Sequence, residues 1–424
     1  MYGIALLKNP IQEYAWGSRT FIQELMGRPE SLKKPLAEIW MGIHPNGPSL
    51  VLWHGNWIPL SELIQKDPKE VLGITVARRF SNKLPFLFKI LAAAKPLSIQ
   101  THPNRAQALK GFQREEKQGI SPGAHERNYK DQNHKPEIFC ALRSSWALKG
   151  FREPREILAL MERVGISPHM TFLSSTLGKG NGGSIKAFFS ALIRLSKEIQ
   201  SRMISEVVKS LKKSPDDDPA FAWVIKLHRF FPHDVMALSP LFLNLIHLEP
   251  GEAIHIVPGT LHAYLSGPGI ELMTNSDNVL RAGLTNKHTD PNELMKIVNF
   301  NHEEGRILKG ERLEGAGWVY PSQAEEFLLS VVSVRNDTPY WSPRVRSVEI
   351  LICVKGRGEI TDMPTKEVLH LSRGVSLIVP AMVEQYCIKG TATIYKASVP
   401  MGDTPHAGLR PQPNAFPATS GGGL

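Results

Sequence analysis

Near Glu153 the texture of this 424-residue chain changes, and that break constrains its fold more than any other feature. Before it, short apolar runs are cut by proline and glycine. Pro45-Asn46-Gly47-Pro48 leads into an apolar run at 49–53, and Phe86-Leu87-Phe88-Lys89-Ile90-Leu91 follows, with helical pieces at 19–26 and 60–72. Short strands with frequent turn signals predict a sandwich or barrel. After the break, over 154–164 and again over 184–211, apolar residues recur every three or four positions. Ile185, Phe188, Phe189, Leu192, Leu195 and Ile199 share one face and Lys and Arg the other, the pattern of amphipathic helices. Asp216 to Asp218 read as a loop before a further helix through Trp223, Ile225 and Leu227. Strands resume at 241–246 and continue, with some helix between, to about Val334. A last β-segment spans 346–399, alternating at Val348, Ile350, Ile352 and Val354. The expected fold is mainly β with an α insertion. Residues 1–150 and 240–334 form one β-domain, 151–239 the helical insertion, 335–400 a second β-domain, and 401–424 a disordered tail rich in proline and glycine.

One internal repeat supports two β-domains of one architecture. Leu248-Glu249-Pro250-Gly251 leads to Ile256-Val257-Pro258, then His262 and Tyr264. Leu371-Ser372-Arg373-Gly374 leads to Ile378-Val379-Pro380, then Glu384 and Tyr386. Only the first copy keeps a histidine at the polar position.

Composition narrows the class. With 42% hydrophobic and 21% charged residues, the chain is globular with ample core. Its 50 basic and 40 acidic residues leave +10, read either as a solvated basic surface or as a field that favours an anionic substrate. No run of Lys and Arg interleaves with aromatics, so a nucleic-acid partner is not expected. Cys140, Cys353 and Cys387 lie in apolar settings without a CxxC, which predicts buried thiols in a reducing compartment. The start carries no signal-peptide pattern, and nothing approaches the ~20 apolar residues of a membrane span. A cytoplasmic protein is expected.

Three distant segments carry chemistry. Gln100-Thr101-His102, between Pro96 and Pro103, is strand-like, so Gln100 and His102 share a face. Asn133-His134-Lys135-Pro136-Glu137 adds a carboxylate. Pro258-Gly259-Thr260-Leu261-His262 adds an imidazole at a tight turn, with His255 as a competitor. Two imidazoles, a carboxylate and an amide oxygen suit a divalent metal. Singly, each has a blander reading: a hydrogen-bonded structural His102, or a surface salt bridge between Lys135 and Glu137. Arg281 lies among apolar residues in Asn278-Val279-Leu280-Arg281-Ala282-Gly283. It either clamps an anion or pairs with Asp277 or Glu271. Lys287 and Lys135 are candidates for a phosphate. Gly178-Lys179-Gly180-Asn181-Gly182-Gly183 fits no nucleotide fingerprint and reads as a linker before a helix capped by Ser184.

Together these segments resemble the type I, zinc-dependent phosphomannose isomerases. The resemblance is carried by Asn9-Pro10-Ile11-Gln12-Glu13-Tyr14-Ala15-Trp16-Gly17, Ala37-Glu38-Ile39-Trp40-Met41-Gly42-Ile43-His44-Pro45, and the stretches 97–103, 131–137 and 254–287. It departs at Thr101, where an aliphatic residue is usual, and in the Pro-rich tail. It implies two cupin-type jelly rolls flanking the helical insertion, and one zinc ion on Gln100, His102, Glu137 and His262. Arg281 takes the place of the family's catalytic arginine. Ser98, Lys135, Tyr264, Glu271, Asp277 and Lys287 fall on stretches that line the sugar-phosphate pocket. The implied reaction interconverts mannose 6-phosphate and fructose 6-phosphate through an enediol. Its base is left among Glu271, Asp277, His134 and metal-bound water, with a carboxylate favoured. A monomer is expected, because the second β-domain can cover the surface that cupins use for dimerisation. An iron-dependent cupin oxygenase and a non-catalytic sugar-phosphate sensor are the alternatives.

Overall fold

Antiparallel strands fall into sheets of ten and eleven in the computed structural model, which describes residues 3–27, 34–165, 168–177, 182–213, 216–313 and 316–402. The loop expected at Gly178 to Asn181 and the tail from residue 403 lie outside the described residues, and the helix expected to be capped by Ser184 already begins at Gly182. The protein is mainly β with helices.

The ten-stranded sheet is organised by one long strand, His262–Thr274. Its first half pairs with Ser145–Phe151 and Ile99–Thr101, and its second half with Phe86–Ala93 and Glu137–Ala141. The halves meet at Gly267, whose φ of +102° belongs to the region that favours glycine. A Cβ there would lie 2.2 Å from Ser145 Oγ. The bend wraps the sheet over a small core of Leu91, Phe139, Ile254, Ile256 and Tyr264.

Strand pleating sorts the faces. In Phe86–Ala93, Phe86, Phe88, Ile90 and Ala92 enter a large core that also holds Leu329, Ile350 and Ile378 of the second sheet. Lys89 and Leu91 therefore point to the opposite, inner face. The same alternation sends Leu261, Ala263 and Leu265 outward into the helical core and leaves His262 and Tyr264 inside.

The helical block consists of Pro154–Val164, Pro168–Leu177, Gly182–Ile193, Lys197–Lys213 and Pro219–Phe230. The single periodic run over 184–211 is thus two helices, interrupted at 194–196. Phe188, Phe189, Phe221 and Trp223 pack with Phe151, Leu148 and Leu280 of the sheet. Each buried phenyl ring contributes roughly 1.5–3 kcal/mol, so the block is fixed to the back of the strands that carry the site. Helix Arg105–Lys117 was not expected from apolar periodicity. Its signal is the capping box of Asn104 and Gln107.

The eleven-stranded sheet takes strands from both ends of the chain. Ala5–Lys8 pairs with Ser376–Val379 and with Leu50–Trp53, while Leu328–Val334 pairs with Tyr386–Ser398. Domain limits drawn at 150 and 335 therefore do not follow sheet membership. Alternation identifies a strand but carries nothing about a neighbour hundreds of residues away.

The repeat has a structural counterpart. Gly251 and Gly374 both have φ of +87° and precede Ala253–Ile256 and Ser376–Val379. Each unit then enters a 13-residue strand with a buried tyrosine, Tyr264 or Tyr386. In the second copy Tyr386 donates to Glu349 (2.8 Å) and Lys396 pairs with Glu349 (2.7 Å), filling the interior with a closed ion pair. Glu384, at the position of His262, is exposed. All three cysteines are buried free thiols, and no described helix is long and apolar enough to cross a membrane.

Candidate metal centre

Strand registry brings the distant segments together. His262 pairs with Lys149 and Gln100, and Gln100 with Arg281. Ladder partners share a face, so Lys149, His262, Gln100 and Arg281 form one row across the sheet. Glu137 opens the strand Glu137–Ala141, and His102 follows Ile99–Thr101 directly. His102, Glu137 and His262 are buried, each offering a ligand atom within 4.8 Å of the others.

Their hydrogen bonds fix the ring protons. His102 Nδ1 lies 2.7 Å from the Asn278 carbonyl, and His262 Nδ1 lies 3.0 Å from the Thr260 carbonyl. Carbonyls only accept, so each Nδ1 carries the hydrogen and each Nε2 of a neutral ring presents a lone pair. Burial lowers the His102 pKa to about 4, so that ring is neutral at physiological pH. Its Nε2 is buried without a hydrogen-bond partner. Both Nε2 atoms stand 3.3 Å from Glu137, one from each carboxylate oxygen. Burial disfavours the Glu137 charge, but the Lys135 ammonium at 3.2 Å favours it. The carboxyl stays ionised, well below the usual carboxylate range. The Nε2 atoms of two imidazoles and the carboxylate thus converge on one point, a donor set that suits a divalent cation. The Gln100 amide nitrogen is 3.5 Å from His262 Nε2. A half-turn of the amide presents its oxygen to the same point.

Asn278 braces this cluster. Its carbonyl holds His102, its Oδ1 accepts from Lys130 N–H (2.7 Å), and its Nδ2 donates to the carbonyls of Asp131 (2.8 Å) and Asn133 (2.9 Å). The segment that ends in Glu137 is therefore tied to the acceptor that orients His102.

The remaining predicted residues separate into groups. Glu271 lies on the inner face, 2.9 Å from Lys89 Nζ, with Glu38 at 3.9 Å from the same ammonium and bonded by Trp40 Nε1. Burial and the neighbouring Glu137 charge raise the Glu271 pKa against the opposing pull of Lys89. Tyr264 lies 3.5 Å from Glu137. Asp277 instead pairs with His44 Nε2 (3.2 Å) and Asn46 (3.4 Å) and lines a cavity of about 430 Å³ with Lys130 and Asn133. Burial acts to raise its pKa, but the His44 hydrogen bond wins and keeps Asp277 ionised. His134 turns to Glu326 (2.8 Å), out of the inner cluster. Arg281 has no carboxylate partner among the described residues, so neither Asp277 nor Glu271 neutralises it. It lines a cavity of about 180 Å³ with Lys287. Ser98 is half-buried just before Ile99–Thr101, and His255 is half-buried and apart from the metal group.

Lys89, Glu38 and His44 are the site residues that sequence reasoning missed. The available signal was a lysine within the apolar run Phe-Leu-Phe-Lys-Ile-Leu, since a buried charge needs a partner.

Comparison with known proteins agrees with this geometry. The family model "Phosphomannose isomerase type I, catalytic domain" matches residues 4–154. Mannose-6-phosphate isomerase of Escherichia coli is 38% identical over 387 residues, covering 91% of this chain and 96% of that protein. A zinc-bound crystal structure of mannose 6-phosphate isomerase superposes with a TM-score of 0.87 at 35% identity, covering 94% of this chain and all of that one. The Salmonella typhimurium enzyme bound to fructose 6-phosphate and zinc gives the same TM-score at 34% identity and the same coverage. Similarity of this extent along nearly the whole chain, together with the converging ligand set, leads to one conclusion: the chain belongs to the type I phosphomannose isomerases.

Proposed function

We propose that this chain interconverts mannose 6-phosphate and fructose 6-phosphate, with one zinc ion held by Gln100, His102, Glu137 and His262. The observation that carries the reading is the buried convergence of two Nε2 atoms on the ionised Glu137, with Arg281, which has no carboxylate partner among the described residues, in the same strand row as His262. Bound zinc supplies Lewis-acid polarisation of sugar oxygens. The other roles belong to side chains.

An aldose–ketose exchange moves a proton between C2 and C1, so it needs a base at carbon and a cation for the oxygen that becomes negative. Asp277 is assigned the base: it is ionised, oriented by His44 and open to a cavity. Glu271 is sealed by Lys89 and serves to hold that ammonium on the inner face. Arg281 stabilises the enediolate oxygen, being permanently charged and free of a carboxylate partner among the described residues. Lys287 takes the phosphate at the rim of its cavity. Lys135 holds Glu137 ionised, and Ser98 and Tyr264 form pocket wall.

The two strand units are taken as cupin-type jelly rolls around a helical insertion, in a cytoplasmic monomer. A stable dimer on sedimentation contradicts the last point. The activity is tested by a coupled assay for fructose 6-phosphate from mannose 6-phosphate, with wild type and Arg281→Ala, before and after chelation. Turnover that vanishes on chelation, returns with zinc and collapses in the variant supports the reading. Zinc-loaded, folded wild type without turnover overturns it.

A further inference from the structure

The first turn of the helix Lys197–Lys213 faces the sheet that carries the metal-ligand candidates. Lys197 and Gln200 from this helix line the 180 Å³ cavity together with Arg281, Lys287 and Asp234. Arg281 enters from the row that contains Gln100 and His262, so the cavity adjoins the inner face. Three cations and one carboxylate line it, a net formal charge of +2 that matches a phosphate dianion.

Asp234 does not neutralise the cations by contact. Its oxygens accept backbone N–H groups of Met236 (2.9 Å) and Leu284 (2.6 Å), which fastens the start of the 3-10 turn Val235–Leu241 to the Leu280–Gly283 strand. No salt bridge joins it to Lys197, Arg281 or Lys287 among the described residues. Lys197 Nζ makes no ion pair among the described residues; it lies 3.3 Å from the neutral Gln200 Oε1 and acts on Asp234 only at longer range, and Gln200 is held in turn by the Leu195 carbonyl (3.0 Å). Gln200 is buried while Lys197 remains exposed, so the ammonium sits at the cavity mouth on a fixed neighbour. Burial and the nearby Arg281 charge both push the Lys287 pKa down, as expected where cations crowd.

We propose that Lys197 of the helical block is a phosphate-binding residue, completing with Lys287 an anion subsite between the helices and the sheet, with Arg281 at its border towards the reacting carbons. This rests on the isomerase reading for the identity of the sugar phosphate, but the anion site itself does not. The insertion then contributes directly to substrate binding.

The test is isothermal titration of zinc-loaded wild type, Lys197→Gln and Lys197→Arg with inorganic phosphate, alongside mannose 6-phosphate kinetics. Removing one charged hydrogen bond predicts a phosphate Kd and a sugar-phosphate KM raised ~10-fold in Lys197→Gln. The value of kcat and the zinc content stay unchanged, and Lys197→Arg recovers most of the binding. A purely structural role leaves KM and phosphate affinity unmoved. Phosphate binding equal in wild type and Lys197→Gln, or absent from wild type, overturns the proposal. Phosphate binding that follows Lys197 in a wild type without turnover supports the subsite and overturns only the isomerase reading.

Discussion

Replacing Asn278 by Asp isolates the brace beneath the metal ligands. Asn278 is fully buried, and its Nδ2 donates to two carbonyls, at 2.8 and 2.9 Å, and approaches Asp131 Oδ1 at 3.3 Å. The substitution keeps the shape but turns those donors into an acceptor, so two partly buried carbonyls face an oxygen. Each lost partner costs about 1–3 kcal/mol, and a charge beside Asp131 adds to it, so destabilisation on the order of 3–5 kcal/mol is expected. Asn278 also supplies the carbonyl on His102 Nδ1 and anchors the segment leading to Glu137. Loss of such outer support typically weakens metal binding, here raising the zinc dissociation constant by ~10–100-fold. Equilibrium competition with a chelator reads the affinity, and urea unfolding of the zinc-free protein reads the stability. An Asn278→Asp protein with wild-type zinc affinity and midpoint refutes the reasoning.

Three other substitutions probe separate parts of the account. Asp277→Asn removes the assigned base without changing shape and is expected to lower kcat by ~10²–10⁴ with zinc content unchanged; a kcat within tenfold of wild type in a steady-state assay moves the role elsewhere. His255 is half-buried, with its ring desolvated and its pKa lowered to about 4, whereas the unfolded chain titrates near 6.5. The unfolded state binds the proton first, so this contribution is full above pH 6.5 and falls towards pH 4, by on the order of 3 kcal/mol in all. His255→Leu should therefore lose less stability than wild type in denaturant titrations between pH 7 and 4.5, and parallel losses contradict the assignment. Gly267→Ala places a Cβ at a φ of +102° and 2.2 Å from Ser145 Oγ. A loss of more than about 2 kcal/mol is expected by thermal unfolding, and an unchanged midpoint shows that the strand does not need its bend.

The parts of the fold that were legible were those written locally. Helix Pro154–Val164 announces itself by apolar spacing, and Gln100 and His102 share a face because of strand period. Pairings between distant segments left no such trace. Ala5 opposite Ile378, or Arg281 opposite Gln100, is decided by packing of the whole chain. Arg281 kept two readings in sequence because nothing local says that Lys89 has already taken Glu271 and His44 has taken Asp277. Lys89 was itself hidden, since one charge inside an apolar strand is read as the strand's solvent face. Here that face is the interior of the site, and the ammonium is kept charged by Glu271 and Glu38 despite its burial. His134, adjacent to Lys135, was a reasonable base until Glu326, almost two hundred residues on, drew it aside.

The central claim is that one zinc ion on His102, Glu137, His262 and Gln100 makes this chain an isomerase. The most direct measurement titrates zinc into the metal-free protein while following fructose 6-phosphate formed from mannose 6-phosphate. Activity should rise from zero and break sharply at one equivalent per chain in wild type, with no such rise in Glu137→Gln. Full turnover before zinc is added, or a rise in Glu137→Gln that matches wild type, contradicts the account.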